Sequence, residues 1–168
     1  FSKERLPDEI SAVVTRGKGV EAVDVLRQDV KAKTLIVGYG QFAGLALQVG
    51  EKLSDQGVPT TVADPLWALP ISGELIELAR GFDHIVTIED NLVVGGLGHR
   101  LRATFAEAGV TATMQHFGIP QEFLLHASRS QVLESIGLTP KAIAHKVLPA
   151  VLGSNGVGSS LRAQRARS

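Results

Sequence analysis

"KTLIVGYGQFAGLALQVGEKLSDQGVPTTVADP", residues Lys33 to Pro65, sets the fold class. "KTLIVGYG" is a continuous apolar run ending in Gly38 and Gly40, as a strand buried on both faces would be. Behind it, Phe42, Leu45, Ala46, Val49 and Leu53 recur at helical spacing, and Gly57 suits the stop. "PTTVADP" then reads as a second short strand closed by Pro65. A strand, a glycine turn, a helix and another strand make one unit of a parallel sheet.

The same alternation continues downstream. Ser72 stands as an N-cap before "GELIELARG", whose Leu75, Ile76, Leu78 and Ala79 form an apolar side. "HIVTIED" is a third strand, Gly96 to Ala108 an amphipathic helix ended near Gly109, and "VTATMQHFG" a fourth strand. "SRSQVLESIG" and "PKAIAHKVLPAVL" close the pattern as helices, with Pro140 in a first turn behind Thr139. The expectation is an α/β domain, a mostly parallel sheet of about five strands with helices on both faces. Residues 1–32, polar apart from "VEAVDVL", read as a lead-in. Residues 33–152 read as the domain, and 153–168, "GSNGVGSSLRAQRARS" with Arg162, Arg165 and Arg167, as a disordered basic tail.

Composition bounds the function. A 168-residue chain, 44% hydrophobic, can bury a core without staples. The absence of cysteine excludes disulfides, thiolate metal sites and a cysteine nucleophile. Charges balance at 17 against 17, so no global field points to nucleic acid, and no apolar run is long enough to span a bilayer. A cytoplasmic protein is expected. Residue 1 is Phe and the only methionine is Met114, so the chain reads as a piece of a longer polypeptide.

Two glycine-bearing stretches invite a ligand. Gly38, Gly40 and Ala43 fit G-x-G-x-x-A between strand and helix, with Asp64 ending the next strand, which is the dinucleotide fingerprint. Against it, "PLWALPI" crowds the place an adenosine needs, and a tight turn explains the glycines without a ligand. The second stretch is "HIVTIEDNLVVGGLGHR", His84 to Arg100. It puts Glu89, Asp90 and Asn91 beyond a strand end, and Gly95, Gly96 and Gly98 before a helix. Helix capping by a carboxylate is preferred there to direct chemistry, with the loop kept as a contact surface. The histidines, His84, His99, His116, His126 and His145, show no ligand spacing; His99, beside the glycines, is the most interesting. Trp67 is read as a packing or interface residue. No catalytic, cofactor-binding or metal-binding residue is assigned.

Taken in order, "VGYG…A…L…G", "ADPLWALPI", "HIVTIEDN…GGLG" and "GIPQEFLLHASRSQVLESIGLT" resemble the C-terminal domain of the 1-deoxy-D-xylulose 5-phosphate synthases, transketolase-like proteins, in their actinobacterial style. The likeness covers most of Lys33 to Val147, and the "HASR" block sets it apart from transketolase and from 2-oxoacid dehydrogenase E1 β subunits. It implies a transferase of isoprenoid precursor synthesis that condenses pyruvate with glyceraldehyde 3-phosphate. In such an enzyme thiamine diphosphate and Mg²⁺ are held by N-terminal and central domains, and the whole is a homodimer. In "FSKERLPDEI", Ser2 and Glu4 depart from the family's R-[FY]-P-[KR]-G. The likeness places a substrate-phosphate arginine just before Phe1 and Lys3 near that phosphate. It departs again at His99, where a small residue is usual. Residues Gly38, Gly40, Trp67, Glu89, Asp90, Asn91, Gly95, Gly96, Gly98 and His99 are then expected at loops and interfaces, the isolated chain being inactive. Other readings are the C-terminal domain of a transketolase or of an E1 β subunit, the latter docking a lipoyl carrier, or a small NAD-binding protein using Gly38, Gly40 and Asp64.

Overall fold

The computed structural model describes residues 10–92, 96–119 and 128–165, with backbone alone at 90–92, 129 and 154–165. Its sheet has six strands in the order β1-β2-β4-β3-β5-β6. The strands read from the sequence are β3 (Thr34–Gly38), β4 (Thr60–Pro65), β5 (His84–Leu92) and β6 (Thr113–Ile119), all mutually parallel. The helices are α1 (Ala43–Asp55), α2 (Gly73–Ala79), α3 (Leu97–Glu107), α4 (Arg129–Ser135) and α5 (Pro140–Arg165).

Side-chain alternation along the strands sorts the core into two halves. Ile36, Val62, Val86 and Ile88 face α1 and α5, meeting Ala46, Val49, Leu53, Ile143 and Val147. Leu35, Val37, Ala63 and Ile85 face α2 and α3, meeting Leu75, Ala79, Leu101 and Phe105. Three layers result, with helices on both faces as expected. From β3 the chain moves one way to β4, then crosses back to β5 on the other side of β3. Right-handed crossovers in opposite directions put α1 on one face and α2 and α3 on the other. The reversal lies between β3 and β5, where open α/β sheets form a crevice at their carboxyl ends.

The first residues depart from the lead-in reading. β1 (Val14–Arg16) and β2 (Val23–Gln28) extend the sheet antiparallel, β2 against β4. "VEAVDVL" is short and broken by Asp24, which suits a half-buried antiparallel strand; Val23, Val25 and Leu26 are nonetheless buried. Alternation sends Val23 to one core half and Leu26 to the other, with a register shift between Val25 and Arg27. The chain's end departs too, because the backbone of α5 stays helical to Arg165 through part of the expected tail. No proline follows Pro149 to halt a helix already nucleated.

The caps follow the sequence. Ser72 Oγ accepts from Leu75 N–H at 3.3 Å, and Thr139 Oγ1 accepts from Ala142 N–H at 3.2 Å. Ser128 and Gln131 form a reciprocal capping box on α4.

Candidate functional site

The carboxyl ends of β3, β4 and β5 bring together Gly38, Tyr39, Gly40, Asp64 and Glu89, with the first turn of α3 above them. Gly38 is glycine because of close approach: a Cβ there would stand 2.6 Å from Ala46 Cβ and 2.7 Å from Phe42 O. Gly40 is glycine because of its backbone, at φ 55°. Its N–H donates to Asp64 Oδ1 at 3.3 Å. Burial pushes the Asp64 carboxyl up to about 6, Gly40's N–H pulling the other way and Asp24 adding to the rise. Burial, with Glu89 and Asp64 nearby, also raises the Tyr39 hydroxyl. The fingerprint acid is therefore engaged with its own glycine turn.

Glu89 joins the two halves of the second candidate stretch. It is 1% exposed, and its Oε2 accepts from Leu97 N–H at 2.8 Å while Oε1 accepts from Gly98 N–H at 2.9 Å. The carboxylate satisfies two of the orphan donors that begin α3 and lies at the positive end of its dipole. Gly96 is the N-cap residue, with no side chain of its own to offer. The sequence reading placed acid and glycines near one another; the structure makes them one cap. Asp90 and Asn91 lie on the β5 backbone with side chains outside the described residues, as do Gly95 and Lys3 altogether.

Beneath α3 lies a polar cluster the sequence did not reveal. Thr87 and His116 face one another across β5 and β6, Oγ1 to Nδ1 at 2.8 Å. Arg102 Nε donates to His116 Nε2 at 3.2 Å, so the geometry assigns the proton to Nδ1, which donates to Thr87. Burial, then Arg102 and His99, depress the His116 pKa to about 4, so the ring is neutral near pH 7. The His99 ring meets His116 edge-on at 5.7 Å. Gly98 closes the group: a Cβ would fall 2.5 Å from His116 Nδ1 and 2.8 Å from Thr87 Oγ1. The signal for this cluster is the strand register, which no single stretch of sequence contains.

Trp67 is 54% exposed, beside Leu66 at 52% and Leu69 at 50%. It is a surface residue rather than core, and the three make an apolar patch just past β4. An open cavity of about 350 Å³ adjoins it, lined by Leu69, Ile71, Arg100, Ala103 and Thr104.

Neither glycine turn fits a pyrophosphate, because each offers its N–H groups to the chain's own carboxylate. Among the described residues no group of three His, Asp or Glu side chains could hold a metal ion. No helix among them is long and apolar enough to cross a membrane. The arrangement is a carboxylate-capped, packed junction at the carboxyl edge of a doubly wound sheet.

Open α/β sheets with this interior host many chemistries, so the class is α/β and no more on geometry alone. The family model described as transketolase, C-terminal domain, matches residues 22–143, and the chain belongs to that family. A 1-deoxy-D-xylulose-5-phosphate synthase of Clavibacter sepedonicus is 44% identical over 154 residues, covering 92% of this chain and 23% of the relative. The protein of the same name from Rhodococcus jostii is 41% identical over 175 residues, covering 99% of this chain and 26% of the relative. The chain thus spans about a quarter of the length of the curated relatives it matches. Among solved structures, a split-gene transketolase described as an inactive β4 tetramer superposes with a TM-score of 0.70. It is 27% identical, with 80% of this chain and 44% of that one covered. The resemblance drawn from the ordered motifs is thereby upheld, and the family match takes in β2, which the motifs had passed over.

Proposed function

We propose that the chain is the C-terminal, assembly domain of a thiamine diphosphate-dependent synthase that joins pyruvate and glyceraldehyde 3-phosphate into 1-deoxy-D-xylulose 5-phosphate. The observation that carries this reading is 44% identity, across nearly the whole chain, to a synthase of that name about four times as long. The parent is a cytoplasmic homodimeric transferase of isoprenoid precursor synthesis. Thiamine diphosphate supplies the carbanion chemistry, held with Mg²⁺ by N-terminal and central domains. This chain supplies position. Its own carboxylates at the sheet's carboxyl edge fix loops, and its apolar patch meets the rest of the enzyme.

A chimera tests the reading. These residues replace the matching segment of the Clavibacter sepedonicus synthase, and product formation from the two substrates is measured. Turnover close to the parent's is expected, whereas the 168-residue chain alone should neither turn over pyruvate nor bind thiamine diphosphate by calorimetry. A chimera that folds yet is inactive overturns the assignment, and micromolar cofactor binding by the chain alone overturns the division of labour.

A further inference from the structure

β6 ends the sheet, and among the described residues it pairs with β5 alone. Thr113 N–H donates to Asp83 O at 3.0 Å, toward β5. Backbone polar groups of successive residues in a strand point to alternate sides, so Met114 and His116, both half-buried, turn theirs outward, while Gly118 further along is buried. An outward row of N–H and C=O groups is a template for another strand, which natural edges blunt with charges, proline or brevity. The opposite edge, β1, is short, at three residues. β6 is seven residues, "TMQHFGI", with no Lys, Arg, Asp, Glu or Pro.

Among the described residues, a side chain from another element stands across that edge. Arg102 of α3 donates through Nη2 to Met114 O at 2.8 Å and through Nε to His116 Nε2 at 3.2 Å. His116 is itself held by Thr87. The guanidinium therefore fills an outward acceptor that an incoming strand's N–H would need. Its charge also faces any strand that approaches.

We propose that Arg102 guards the outward edge of β6 at Met114 and His116, and that the strand it keeps off is β6 of a second copy of the chain. Two identical strands related by a two-fold axis are self-complementary when antiparallel. "TMQHFGI" carries no acid or strong base of its own to oppose the pairing. Pairing would instead bring the two Arg102 side chains toward one another, and that repulsion is the guard. The inference rests on the edge alone and is independent of the parent-enzyme reading.

Sedimentation velocity of the full chain over a concentration series tests it. Arg102→Met keeps the aliphatic stem and loses the donors; its weight-average mass should climb with concentration above wild type, toward twice the wild-type value. Adding Met114→Pro removes an outward N–H without touching the β5 ladder and should return the curve to wild type. Arg102→Ser stands in if the methionine variant does not fold by circular dichroism. A folded Arg102 variant that sediments as wild type overturns the proposal. So does association that survives Met114→Pro.

Discussion

Glu89 and Asp64 sit at the ends of the two parallel strands that flank β3, and both accept from backbone N–H groups, yet with different consequences. Glu89 closes two N–H donors at the buried start of α3. Glu89→Ala leaves both unpaired, and the unfolding free energy in urea should fall by about 1.5–3 kcal/mol or more. A Glu89→Ala chain as stable as wild type would show that the cap contributes nothing. Asp64 gains one longer bond, too little to offset its loss of hydration, so its carboxyl titrates near 6 in the folded chain instead of 3.8. Between those values the folded chain holds a proton that the unfolded chain has released, so this group lowers stability as pH rises through the window. Asp64→Asn keeps an acceptor for Gly40 and removes the charge. The variant should be more stable than wild type above pH ~6, the gap narrowing as pH falls toward ~4. Urea titrations at several pH values read this directly, and a pH-independent difference would contradict it.

α3 shows how far an element can be read before its neighbours are known. Its existence, its start after the glycines and its apolar stripe were legible, because Leu97, Leu101 and Phe105 recur on one side. So were β3 to β5, whose apolar runs are buried on both faces, and β6, which is only half-buried at the sheet's edge. Glu89 as a cap was legible as a possibility, since an acid and an upcoming helix start lie within one short stretch. What Gly98 is for was not legible. Its missing Cβ makes room for a Thr87–His116 pair that exists only once β5 and β6 are in register. β2 was missed for a related reason: an antiparallel strand next to the edge needs only alternate apolar residues, and "VDVLRQ" offers them too briefly to stand out from a polar segment. His116 was read as an ordinary histidine for want of Arg102, which reaches it from another element. Local periodicity names elements, and only the register names contacts.

At the scale of the whole molecule, both faces of the sheet are covered, so large apolar side chains still in water call for a different cause than an unfinished core. Leu66, Trp67 and Leu69 lie within four consecutive residues between Pro65 and Pro70, and each is about half exposed. Single exposed hydrophobes are ordinary, but a cluster beside an open cavity marks a contact surface. Replacing all three with serine should leave the isolated chain nearly as stable as before, each change being worth about 0.5 kcal/mol or less at a surface position. In the chimera with the Clavibacter sepedonicus synthase, the same three changes should weaken assembly. Sedimentation would then show a smaller species, and product formation would fall although the chain itself remains folded. Trp67 is the only tryptophan, so its emission in the isolated chain should be that of an indole in water and open to acrylamide. A chimera that assembles and turns over normally with all three serines would place the interface elsewhere. A large loss of stability in the isolated chain would mean instead that the patch supports the fold, and that its exposure serves no partner.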